Sequence, residues 1–285
     1  MSSLKEIKSR IASVNSTKKI TSAMKMVSSA KLHHSQGKTE LLLPYEKKLK
    51  DILYHLLAVN NDIETVFTQS RPIKRVGIVA FSSNSGLCGT FNANVIKELD
   101  NRIQEYKKKD IDVLLFPVGK KIKEALQKEG YSHIDNYQHL IDNPDYEEAS
   151  QLATVLMQHF EAEEVDKIEL LYHHFKSTAL QQLTWQTWLP TCLSYEEEYK
   201  REDNADYIID PSTEIVLDNL LPKVLRLGIY AVLLDTTTSE HAARILAMQT
   251  ASDNANELLQ ELTLQYNKSR QQAITNELMD IMGGH

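Results

Sequence analysis

Apolar residues at Leu4, Ile7, Ile11, Val14, Ile20, Met24 and Val27 recur at helical spacings, with Thr17 filling the one gap in the stripe. This pattern predicts helix from residue 3 to about residue 58, with Gly37 and Pro44 as weak points. Pro44 is expected to bend or interrupt the helix because it removes a backbone donor. The far end of the chain repeats the theme: Met248, Ala251, Ala255, Leu258, Leu262 and Tyr266 are spaced by three or four, then Ile274, Leu278 and Ile281 follow. Pro222 suits a first-turn position, no Pro or Gly occurs from Ile229 to Met282, and Gly283 and Gly284 form the stop signal. A helix from Pro222 to Met282 would be about 90 Å long, too long for a compact domain to bury.

Between these rods the period changes. Val76 to Phe81, Val113 to Val118, Ile168 to Phe175 and Leu183 to Leu189 read as strands. Helical patterns after Phe91, from Lys120 to Glu129 and from Tyr146 to Glu161 alternate with the first three, as in an open, Rossmann-like α/β sheet. The expected organisation is an N-terminal coiled-coil helix over 1–60, a central α/β domain over 70–195, an acidic connection over 196–211 and a C-terminal coiled-coil helix over 212–285.

Charge distinguishes the two rods. The first 38 residues carry Lys5, Lys8, Arg10, Lys18, Lys19, Lys25, Lys31 and Lys38 against one acid, Glu6, whereas residues 240–285 are acidic in balance. A basic and an acidic helix with stripes near the coiled-coil period can pair within one chain, although single charges more often only solvate a face. The net charge of −7 argues against a general nucleic-acid binder. No stretch of about 20 apolar residues predicts a membrane span, and the start of the chain has neither a signal core nor an Arg-rich leader. The two cysteines, Cys88 and Cys192, are too far apart for metal-ligand spacing and are expected to be reduced.

The candidate chemistry is thin. Ser82 to Asn92 reads SSNSGLCGTFN after a strand and before a helix, where a glycine-rich turn can present amides to phosphate. A P-loop needs Lys after its last Gly, however, and here Gly89 is followed by Thr90 and Phe91. The preferred reading is a tight structural turn in which Gly86 and Gly89 permit unusual dihedrals and Cys88 is a packed thiol. His33/His34 and His173/His174 are adjacent pairs that point to different faces of a helix or strand and cannot share one metal as an i, i+4 pair could. No cofactor or metal is expected. A nucleotide-binding α/β enzyme with helical extensions is the alternative, supported by the turn alone, and a static coiled-coil scaffold is a third reading.

Three blocks nevertheless carry a resemblance: Ile7 to Leu32 (IKSRIASVNSTKKITSAMKMVSSAKL), Ser85 to Asn92 (SGLCGTFN) and Ser239 to Ile281 (SEHAARILAMQTASDNANELLQELTLQYNKSRQQAITNELMDI). In sequence, order and spacing the chain resembles the gamma subunit of F-type ATP synthases. The resemblance implies a non-catalytic shaft of two antiparallel helices inserted into a ring of alpha and beta subunits. Its α/β domain would stand on the membrane c-ring and hold the epsilon subunit, peripherally at the cytoplasmic face of the bacterial inner membrane. It also implies partner contacts. Arg270, Gln271 and Thr275 match positions touching a catch loop of beta, and Met24, Lys25 and Met26 match the segment facing the lever helix of beta. Tyr207 and Asp210 match the foot on the c-ring, although Ile209 and Asp210 depart from the family pattern. Leu278, Met279, Ile281 and Met282 ring one helix turn with apolar side chains, which is unfavourable in water unless a bore sheathes them.

Overall fold

The computed structural model describes residues 4–59, 65–134, 137–191, 209–210 and 212–283. Two rods dominate it. Helix α1 spans Leu4–Val59 and helix α6 spans Thr213–Gly283. At ~1.5 Å rise per residue, α6 is about 105 Å long.

The rods run antiparallel. Ser22 meets Ser252, Lys25 donates to Gln249, and Ser35 meets Thr238 through their hydroxyls, so the partner number falls along α6 as it rises along α1. A heptad seam explains the pairing. On α1 the positions Ile7, Ile11, Val14, Lys18, Thr21, Lys25, Ser28, Leu32 and Ser35 alternate by four and three, and each is buried or half-buried. On α6 the matching row is Met248, Ser252, Ala255, Leu259, Leu262, Tyr266 and Ser269.

The apolar stripe therefore predicts only the first part of the α1 seam. Ile7, Ile11 and Val14 face α6, but Thr17 is exposed, and Ile20 and Val27 remain 59% and 58% accessible. From Lys18 to Ser28 the inward positions hold Lys, Thr and Ser while Ile20, Met26 and Val27 point outward, so hydropathy tracks the wrong face there. Leu258 on α6 is likewise exposed. The prolines also differ from expectation. Pro44 lies inside α1 without interrupting it, and Pro222 lies well inside α6, which begins at Thr213 rather than in the turn around Pro222. Tertiary packing of both helices offsets the missing donors.

The α/β part follows the period-2 reading. Strands β1 (Arg75–Phe81), β2 (Asp112–Val118), β3 (Lys167–Ser177) and β4 (Leu180–Leu189) form one sheet in the order β2-β1-β3-β4. β1 is parallel to both neighbours, and β4 returns antiparallel to β3 through a tight hairpin. Alternation decides what each face buries. Val76, Ile78 and Ala80 pack beneath helices α2 (Phe91–Lys108) and α3 (Lys120–Lys128). Val79 and Phe81 join a second core with α5 (Tyr146–Glu161), the end of α1 and the first turns of α6. Asp145 caps α5 by accepting from the Glu147 amide at 2.9 Å. The short helix α4 (His139–Asp142) has no sequence signal because a single turn is too short to show a period. One end of each rod is thus built into the head, and the other ends project from it.

Candidate functional site: the shaft surface and its anchorage

The projecting end carries the first group of expected contact residues. Carried back to Leu4, the register ends the helix pairing near Arg270, so the last turns of α6 run on without α1 alongside. Arg270, Gln271 and Thr275 are all exposed there. The Thr275 hydroxyl donates to the Gln271 carbonyl at 2.9 Å, which leaves its lone pairs free to accept. Leu278, Met279, Ile281 and Met282 are 56%, 64%, 75% and 83% accessible, an apolar tip with no cover from the described residues.

The second group lies midway along the rod. Met26 is 68% accessible and Met24 is half-buried, whereas the ammonium of Lys25 is turned inward onto Gln249 of α6. Of the foot residues, Asp210 is described and exposed; Tyr207 and the rest of the acidic stretch before Ile209 fall outside the described residues, as does Cys192.

The glycine-rich turn binds its own chain. The Ser83 amide donates to Asn92 Oδ1 at 3.0 Å, the Ser83 hydroxyl to the Ser85 carbonyl at 2.6 Å, and Asn92 Nδ2 to Ser83 Oγ at 2.8 Å. Cys88 is a free, buried thiol that accepts from Asn92 Nδ2 at 3.2 Å. Gly89 takes φ +62°, as expected, but Gly86 does not; the other left-handed residue is Leu87 at φ 63°. Gly89→Ala should therefore cost about 1 kcal/mol, while Gly86→Ala, whose added methyl would meet nothing within 4 Å, should be near neutral in thermal unfolding.

Sequence reasoning missed what holds this turn to the shaft. Arg244 of α6 donates from Nη2 to Ser85 Oγ at 2.9 Å and to the Gly86 carbonyl at 3.3 Å, and from Nη1 to Glu240 Oε1 at 2.7 Å. Both charged side chains are buried, although composition counts them among the solvated charges of an acidic helix. Beside them, Phe91 stacks on His173 with ring centroids 4.1 Å apart, and Ser239 donates to the His173 carbonyl at 2.9 Å. Burial pushes His173 down to about 4, and burial followed by the nearby Arg244 and Lys31 charges does the same to His241, so both imidazoles are neutral near pH 7. The only available signal was local: a run of Thr236, Thr237, Thr238 and Ser239 in mid-helix, all buried, marks a polar junction where an apolar stripe would otherwise continue. His174, by contrast, points outward from β3 and meets the Asp235 carboxylate at 2.6 Å, so the two adjacent histidines do face opposite ways.

A long antiparallel helix pair, rooted by buried polar contacts in a small α/β head and ending in a bare apolar tip, defines a stalk subunit whose working parts are surfaces. The comparisons agree. The family model described as ATP synthase matches residues 3–285. An ATP synthase gamma chain of Phocaeicola vulgatus is 54% identical over 288 residues, covering 100% of this chain and 99% of the relative. That of Parabacteroides distasonis is 55% identical over 284 residues, covering 100% of this chain and 98% of the relative. Among solved structures, the rotor of the Euglena gracilis mitochondrial ATP synthase aligns with TM-score 0.62 at 19% identity, covering 95% of this chain and 98% of that one. The central stalk of the Tetrahymena thermophila mitochondrial enzyme, in a structure that includes the c-ring, aligns with TM-score 0.60 at 23% identity, covering 82% of this chain and 99% of that one. The chain belongs to the ATP synthase gamma chain family. As such it is a central-stalk subunit of a rotary ATP synthase.

Proposed function

We propose that the chain transmits torque as a non-catalytic shaft, its helix pair turning inside a ring of alpha and beta subunits that hold the catalytic sites. The observation that carries this reading is the α6 tip, where four large apolar side chains stand exposed beyond the reach of α1, within one sector of about 160° rather than around the whole helix. Such a surface is unfavourable in water and calls for cover, which the wall of a ring's bore supplies at every angle of the shaft. A rotating part must not be gripped at one angle. A preference of about 5.5 kcal/mol would hold the population near 99:1, and flexible Met and Leu side chains make a surface that slides without such a trap.

On this reading Arg270, Gln271 and Thr275 form a latch against beta, and Met24, Lys25 and Met26 lie on the face that meets its lever helix. Leu278 and Ile281 belong to the bearing. The head, with Asp210 and Tyr207 on its foot, rests on the c-ring and carries the epsilon subunit. This division makes 1–60 and 212–285 the shaft, 70–195 the head and 196–211 the connection between them. Attachment to the cytoplasmic face of the inner membrane is then peripheral, and among the described residues no helix is long and apolar enough to cross a membrane. The internal hydrogen bonds of the Ser83 to Asn92 turn favour this role over nucleotide binding, since the Ser83 amide and the Arg244 guanidinium are already engaged.

The test is direct observation of turning. With Cys192→Ser and Lys109→Cys in the complete complex, a bead on the exposed head at position 109 should rotate in one direction when ATP is added to an immobilised ring. A bead that stays fixed while the same complexes hydrolyse ATP would refute the shaft role.

A further inference from the structure

A cavity of about 550 Å³ lies where α1, β3, β4 and α6 converge. Its volume falls within the range of small-molecule sites, about 300–1,000 Å³. The walls combine aromatic and acidic groups. Tyr172, Phe175 and Trp188 supply rings, and Glu40, Glu46 and Asp235 supply carboxylates. Burial pushes the Tyr172 phenol up to about 12, helped by the charges of Asp235 and Glu46, which places both carboxylates close to that one ring. Some of this charge is answered locally: Lys50 pairs with Glu46 at 2.6 Å, and Asp235 meets His174 at 2.6 Å and accepts from the Phe175 amide at 2.7 Å. Lys50 is the one ammonium among the described lining residues, against three carboxylates. The Trp188 indole is 5% accessible, yet its N–H has no acceptor and lies against the notch at Gly228, where an added Cβ would be 3.8 Å from it.

We propose that this cavity is a binding site for a small amphiphilic amine: a single ammonium group on an apolar body of roughly one ring and a short chain. Aromatic faces and the excess of carboxylates over ammonium groups both favour a cation, the rings through their quadrupoles. The same carboxylates exclude an anion of equal size. The apolar wall accounts for the body. Such a molecule bridges both helices of the shaft and the hairpin of the head.

The probe set is 4-phenylbutylamine, 4-phenylbutan-1-ol and 4-phenylbutyrate, which share a body and differ in charge. The full chain carries two tryptophans, Trp185 and Trp188. Trp185 lies on the opposite face of the sheet, so Trp185→Phe leaves Trp188 as the sole indole reporter. The amine should give a saturable change in Trp188 emission, with the carboxylate at least about tenfold weaker, equivalent to about 1.4 kcal/mol, and the alcohol between them. Glu46→Gln should weaken the amine several-fold, and Ala231→Leu, which fills the cavity, should abolish the change; unfolding midpoints near that of the parent would show that both variants are folded. A flat titration with the amine would overturn the proposal. So would equal binding of amine and carboxylate, or binding unaffected by a folded Ala231→Leu variant.

Discussion

Replacing Arg270 with alanine is expected to leave the isolated chain melting within about 4 °C of the parent while lowering turnover of the assembled complex at least about tenfold. The two halves of this expectation come from different surroundings of the same side chain. In the free chain Arg270 is exposed on α6 where the pairing with α1 ends, and a solvated charge there contributes under about 1 kcal/mol. Against a partner, its planar fork can engage carboxylates or carbonyls in two directions, and truncating a desolvated pair costs roughly 2 to 5 kcal/mol. Arg270→Lys should fall between the two because it keeps the charge and loses the fork. Calorimetry of the free chain and ATPase assays of the reconstituted complex decide the matter. If Arg270→Ala unfolds the free chain, or if the complex turns over normally, the latch role is wrong.

The sequence exposes the architecture where one periodicity governs and hides it where two compete. All four strands and helices α2, α3 and α5 fall where a short apolar run or the 3.6 period places them, because each helix buries one face and β1, at the centre, buries both. Along α1 the signal divides. Ile7, Ile11 and Val14 are apolar because they meet α6, but Ile20, Met26 and Val27 are apolar although they face outward. A moment drawn through all of them averages an internal seam with an external surface. That mismatch is informative in itself: inward Lys18, Thr21, Lys25 and Ser28 beside outward Ile and Val are unfavourable for an isolated pair of helices and become sensible when something apolar lies outside. The polar junction was illegible for the opposite reason. Glu240 and Arg244 are separated by one helical turn, a spacing shared by many solvated ion pairs, and nothing local to α6 shows that the Ser85–Gly86 turn, more than 150 residues earlier, closes over them. Leu87 likewise adopts a left-handed conformation that a sequence reader assigns to its neighbour Gly86.

The Arg244 junction should dominate the stability of the head on its shaft. Arg244→Met removes the guanidinium from Glu240, the Ser85 hydroxyl and the Gly86 carbonyl, leaving a buried carboxylate without its cation and the turn without its tie. Breaking a buried pair in this way costs about 3–5 kcal/mol, or a fall in Tm of roughly 6–20 °C for a chain of this size. The pH dependence identifies the cause. Desolvation already raises Glu240 above its ordinary 4.5, against the lowering influence of Arg244. A carboxyl whose folded pKa is raised binds its proton more tightly in the folded state, so its burial costs little below the unfolded pKa and progressively more as the pH rises through the folded one. Without Arg244 the folded pKa climbs further. The Tm deficit of Arg244→Met should therefore be largest near neutral pH and shrink as the pH falls towards 4.5. Pairing it with Glu240→Gln, which removes the orphaned charge, should recover a substantial part of the loss at pH 7 and abolish most of its pH dependence. A Tm within about 2 °C of the parent, or a deficit that does not diminish in acid, would show that Arg244 contributes packing alone. Within the complex the same variant separates anchorage from latching: if torque passes from shaft to head through this junction, coupling should fall even at temperatures where the folded chain persists, with Arg270 and the α6 tip intact.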